Sequence, residues 1–184
     1  MKKCLIFLLF VGFHTITWAQ KEMIALSNDS IEFEANDFYI KKVTDAREKK
    51  DNIGFVQKGV FKKKKVDADL KGGIETAIAY FLEENFTQDP TGVPIVIRIT
   101  ELKISESSSL PIKGKAEVKM EFFREKDGSI GKLYEAESFV EKPAVNVTAT
   151  HEERIREVIS SCLQNFNNSD WQSISPMYFK EEEQ

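Results

Sequence analysis

Thiols and imidazoles are scarce in this chain, which holds two cysteines and two histidines among 184 residues. Cys4 and His14 both fall in an N-terminal stretch laid out like an export signal: Lys2 and Lys3, an apolar run from Leu5 to Phe13, then Thr17-Trp18-Ala19 ending on a small residue. Cleavage after Ala19 leaves Cys162 as the only thiol and His151 as the only imidazole. An intramolecular disulfide and a structural zinc site built from cysteine and histidine are then both excluded. The apolar run is broken by Gly12, His14 and Thr15, so a retained anchor is the lesser reading and no integral membrane segment is expected after cleavage.

An excess of positive charge is missing too. Taking Lys2 and Lys3 from the 26 basic residues leaves 24 against 30 acidic ones, a formal charge of −6, which disfavours nucleic acid as a partner. Phosphate-binding glycine loops, Cys-x-x-Cys pairs, EF-hand loops and Gly-x-Ser-x-Gly elbows are absent, so no catalytic residue, cofactor or metal site is predicted. Cys4 precedes the apolar run and cannot be the lipid-bearing cysteine of a bacterial lipoprotein. An exported chain without a disulfide suits a bacterial envelope, either periplasmic or secreted.

What is present is a fold signature. Ile95, Val96, Ile97 and Ile99 form a β-branched run suited to a sheet interior. Its apolar positions are odd through Ile99 and even at Leu102 and Ile104, which places a bulge or bend at Thr100-Glu101. Lys115 to Phe123 alternates Ala116, Val118, Met120 and Phe122 with charged residues, and Asp127-Gly128 predicts a hairpin back into Ile130 to Val140. Residues 20 to 30 read as a loose lead-in, Ile31 to Val43 as two short extended segments, and Ile53 to Phe61 as a strand. Leu70, Ile74, Ala77, Ile78, Phe81 and Leu82 predict a helix over Asp69 to Phe86, capped by Asp69 and weakened at Gly72 and Gly73, whose adjacency suggests close approach to the sheet. A second helix opens at Thr150 in a capping box with Glu153 and carries Ile155, Val158, Ile159, Cys162, Leu163 and Phe166 on one stripe. The expectation is an α+β fold: a mostly antiparallel sheet of about five to six strands with two amphipathic helices on one face. Residues 1–19 are the signal, 20–178 one domain and 179–184 an acidic tail.

Few side chains are candidates for chemistry. His151, beside Glu152 and Glu153, reads as an exposed neighbour of a helix cap, and Cys162 as a small core hydrophobe. Asp45 and Arg47 project from one face of an extended segment, where they pair with each other or bind a partner. Lys62, Lys63, Lys64 and Lys65 form either a solvated loop or sheet edge, or a docking point for an anionic headgroup or an acidic protein.

In its order of elements the chain resembles the YajG-type bacterial envelope lipoproteins, whose compact α+β domain is shared with auxiliary components of envelope transport systems. The likeness is carried by Val43-Thr44-Asp45-Ala46-Arg47, then Ile53-Gly54, Gly59, the helix Leu70 to Phe86 and the strand Ile95 to Ile104, although the chain lacks the cysteine that follows the signal peptide in those lipoproteins. What the resemblance implies is an envelope accessory or binding domain without catalysis. The leading expectation is therefore a non-enzymatic exported protein that meets an envelope partner through the Ser107 to Lys113 loop, the lysine run or an open sheet edge. The alternative is a lipid or small-ligand carrier with a phenylalanine-lined cleft, and a hydrolase ranks last.

Overall fold

The computed structural model describes residues 21–27, 33–58 and 64–180. Residues 1–20, where the sequence predicts a signal, Lys62, Lys63 and the last four residues lie outside that description. The elements run β1 (Glu22–Ile24), β2 (Phe38–Asp45), β3 (Gly54–Lys58), β4 (Lys64–Leu70), α1 (Ile74–Asn85), β5 (Val93–Glu106), β6 (Lys113–Lys126), β7 (Ser129–Pro143), α2 (His151–Asn167) and β8 (Tyr178–Lys180).

The eight strands form one curled sheet in the order β1-β4-β3-β5-β6-β7-β8, with β2 also paired to β5. This overturns the expected mostly antiparallel sheet of five to six strands: β1 on β4, β2 on β5 and β3 on β5 are all parallel. The reason is topological. Parallel strands need a crossover, and the segment from β3 through α1 supplies one between β2 and β5. The extra strands hid in polar sequence. In β4, Val66, Ala68 and Leu70 turn inward while Lys65, Asp67 and Asp69 face out, so the supposed approach to a helix is a strand. β1 and β8, three residues each, lie in stretches that read from sequence as the lead-in and as the chain end around the tail.

Asp69 therefore caps nothing. Gly73 is the N-cap of α1, and Gly72 and Gly73 sit at φ 89° and 82°, a turn that only glycine makes without strain. No atom lies within 4 Å of where a Gly73 side chain would begin, so backbone freedom rather than close packing explains this pair.

β5 organises the sheet. One edge carries β6 from Ile95 to Glu106, while the other is shared by β2, which ends opposite Ile99, and β3, which arrives at Gly54 opposite Ile104. Thr100 is an extra residue between the Ile99–Met120 and Glu101–Lys119 pairs, so the parity change read from the sequence is a β-bulge. At Asp127-Gly128 both φ angles are positive, 51° and 73°, as a two-residue hairpin of primed type requires. Both helices and the inward rows of the sheet share one core, where Phe122 of β6 stacks on Phe166 of α2 at 4.3 Å and Phe38 and Trp171 close around them. The phenylalanines that a carrier would need as a cleft lining are thus largely packed on one another.

Gly54 tests this arrangement. Its φ is 127°, and an added Cβ would stand 2.0 Å from the Ile104 carbonyl oxygen, a backbone atom that cannot rotate away. Gly54→Ala should cost roughly 3 kcal/mol or more, lowering Tm by about 6–12 °C, whereas Gly128→Ala, whose Cβ meets open space, should cost about 1–2 kcal/mol. Equal melting losses for the two would contradict the β3–β5 contact.

Candidate functional site

The structure distributes the sequence candidates over separate places. Asp45 and Arg47 form a two-pronged ion pair, Nε to Oδ1 at 2.8 Å and Nη2 to Oδ2 at 2.9 Å, while Nη1 donates to the Asn52 carbonyl at 2.9 Å. Arg47 is buried, so the pair clips the 46–53 loop shut where β2 leaves β5. Neighbouring Arg47 holds the Asp45 carboxyl below its usual range against the opposing effect of burial. Lys64 and Lys65 are exposed at the start of β4, with the Lys65 ammonium 4.2 Å from the centre of the Phe55 ring. Cys162 is fully buried, and burial pushes its thiol up to about 12, out of the reactive range.

His151 departs from its expected place. It is wholly buried, with Nε2 3.4 Å from Oε1 of Glu106, itself shut from solvent at the end of β5. The Glu106 carboxylate accepts from Thr148 Oγ1 at 2.7 Å and from the Gln57 N–H at 3.2 Å. Arg154, one turn along α2, donates to Thr150 Oγ1, the Val147 carbonyl and the Lys142 carbonyl at 2.7, 3.2 and 3.0 Å. Thr150 is the N-cap residue of α2, but its hydroxyl donates to the Val147 carbonyl and accepts from Arg154, so the capping box does not form. This polar knot ties the open ends of β5 and β7 to the start of α2. Among the described residues neither ring nitrogen of His151 makes a well-aligned hydrogen bond, the Thr148 hydroxyl points to the carboxylate rather than to the ring, and both side chains of the pair are shut from solvent. Among the described residues no three His, Cys, Asp or Glu side chains are grouped to hold a metal.

A different kind of site lies along β7. Its fifteen residues pair with β6 from Ser129 to Pro143, but among the described residues β8 covers its other edge only from Ser129 to Gly131. From Lys132 onward, every second residue therefore turns its backbone N–H and C=O away from the sheet. Glu135, Glu137, Phe139 and Glu141 line the outer face of this stretch, opposite Glu121, Lys119, Glu117 and Lys115 of β6. Tyr134, Ala136, Ser138 and Val140 face inward.

No protein-family model matches this chain, and no curated protein or solved structure does either.

Sequence reasoning missed the knot for an identifiable reason. Once the bulge moves the inward face of β5 to even positions, Leu102, Ile104 and Glu106 share that face, so a carboxylate at the third position was a signal in plain view.

Burial, aided by the Arg154 charge, holds the His151 imidazole down at about 4 despite the nearby Glu106. Unfolded, it titrates near 6.5. Between those values only the unfolded chain takes the proton, so this group's contribution is full above about pH 6.5 and is lost as pH falls to about 4. From pH 7 to 4 the urea-unfolding free energy of the wild type should fall by about 2–3 kcal/mol more than that of His151→Gln. Parallel pH profiles would show that the buried ring carries no such linkage.

Proposed function

We propose that this chain is a non-enzymatic, exported binding domain that engages another envelope component by strand addition along the open edge of β7. The observation that carries this reading is the unequal pairing of that strand, one edge filled throughout and the other covered, among the described residues, for three positions. A strand edge of this length offers a row of backbone donors and acceptors that an extended segment can complete. The closed state of the His151–Glu106 pair supports the non-catalytic side of the proposal, since a substrate has no access to it. Export rests on the N-terminal sequence pattern, and the resemblance to envelope lipoproteins agrees with it.

The test is a photo-crosslinking amino acid placed at Glu137, on the edge, or at Glu83, on the exposed side of α1, in the native host. Position 137 should give a discrete protein adduct that position 83 does not. In the purified complex, amides within 132–143 that exchange freely in the isolated chain should become protected. Adducts from position 83 alone, or unchanged exchange in β7, would refute the edge as the binding surface.

A further inference from the structure

The charge row on β7 narrows what the edge can accept, given the open-edge reading on which this step rests. A second copy of the chain is the first occupant to consider. Added antiparallel across a two-fold axis, with inward residues facing inward residues, it must pair positions of equal parity. The registers that overlap most of the open stretch place Glu135 opposite Glu137, Glu137 opposite itself, Glu135 opposite Glu141, or Glu137 opposite Glu141. Each sets like charges directly across from one another, which destabilises a strand pair.

The same row suits a strand of the other sign. Glu137, Glu135 and Glu141 already touch Lys119, Lys132 and Lys113 at 3.3, 2.6 and 3.6 Å, yet their side chains keep 75%, 58% and 45% of their exposure. Those lysines approach from β6 and from the start of β7, so the side on which a new strand would lie stays open to further cations. Phe139, 72% exposed in the middle of the row, already has the Lys115 ammonium of β6 5.9 Å from its ring centre, and its exposed part is left for a second guanidinium or ammonium from an incoming strand. On the inner face, the incoming strand would extend the half-buried row of Tyr134, Ser138 and Val140 toward α2, where Glu157 is held by Lys142. Small or aliphatic side chains suit the positions beside Tyr134, Ser138 and Val140, and a charge is better matched at the Lys142 end of the row, beside the Lys142–Glu157 pair.

We infer that the β7 edge takes an extended basic segment of a protein partner, with Lys or Arg at alternate positions over Glu135, Glu137 and Glu141 and aliphatic residues between them. Acidic segments and a second copy of this chain are disfavoured by the same row. Arg is the better cation opposite Phe139, because its planar group stacks as well as pairs.

The experiment uses the full mature chain and two labelled peptides of about eleven residues, one alternating Lys with Val and the other Glu with Val, a length that spans the open edge. The Lys peptide should bind at low salt, weaken as salt rises, and protect β7 amides in hydrogen exchange. The Glu135→Lys/Glu137→Lys/Glu141→Lys variant should bind it roughly tenfold more weakly or worse and gain affinity for the Glu peptide. Glu137→Gln/Glu141→Gln, a milder change, should show a smaller loss with an unaltered melting curve. If both peptides protect β7 equally, or the charge-reversed variant binds the Lys peptide unchanged, the inference about charge falls while the edge stands. If neither peptide protects β7 although the cross-linked partner does, the sequence assigned to the partner is wrong. If nothing protects it, the edge reading itself fails.

Discussion

The sheet depends on how β5 divides its second edge. A single fourteen-residue strand receives β2 up to Ile99 and β3 from Ile104, and the bulge at Thr100 lies at the join. A bulge increases local twist and turns one strand face over. Here it lets Ile95, Ile97 and Ile99 face the core on one side of the join and Leu102 and Ile104 on the other, so an apolar row continues around a bend. Without it, half of that row would point to solvent. The chain between β2 and β3 has to leave the sheet and return within a few residues. Arg47 holds it there by bridging Asp45 and the Asn52 carbonyl, and Gly54 permits the return because no side chain stands between it and β5.

The knot at the far end of β5 is the costly part of the interior. Moving Glu106, His151 and Arg154 out of water opposes folding, and replacement by well-packed apolar groups of equal volume would be neutral or stabilising by the usual energetics of buried ions. What such a replacement would lose is geometry. Arg154 reaches the Lys142 and Val147 carbonyls at the end of β7 and in the turn after it, while Glu106 reaches Gln57 of β3 and Thr148. Those bonds set how far along the sheet α2 begins, in a region where the inward strand residues at Gly114 and Ala116 are too small to fix a helix by shape alone. The guanidinium lies where a side chain at position 114 would go, 2.7 Å from its Cβ, so glycine there makes room for the knot.

Sequence patterning exposed those parts of the fold where local period and burial agree. The Ile95 to Ile104 run, the Lys115 to Phe123 alternation, the Asp127-Gly128 turn and the apolar stripe of α2 all follow this rule, and the bulge was visible as a change of parity. It failed where a strand was short or richly charged. Val66, Ala68 and Leu70 make half of a valid strand pattern, but the lysines before them and the helix-like Leu70 to Leu82 spacing after them outweighed it. Parallel pairing was invisible because it depends on which distant strand lies alongside, and neither β2 nor β3 carries a local mark of its partner. His151 was misplaced because its neighbours Glu152 and Glu153 suggested solvent, although a helix start turns successive residues to different sides. Of the contact surfaces, only the general idea of an open edge could be read; which strand is the open one follows from pairing.

An unfilled edge on a sheet is a hazard as well as an opportunity, and β7 handles it in an uneven way. Its inward positions from Tyr134 to Val140 carry no charge, so a foreign strand entering there would bury nothing ionic on the core side. From Tyr134 to Glu141 the protection sits on the outer face, in Glu135, Glu137 and Glu141, and Lys142 and Pro143 guard the last two positions of the strand. Protection of that kind depends on sign. A charge pointed inward or a proline would deter any strand, whereas a row of carboxylates on the solvent face deters only strands that carry carboxylates at matching positions. Copies of this chain meet that condition in every extensive antiparallel register, and a basic strand does not. The feature that would keep the edge from pairing with itself is thus the one that would select its partner.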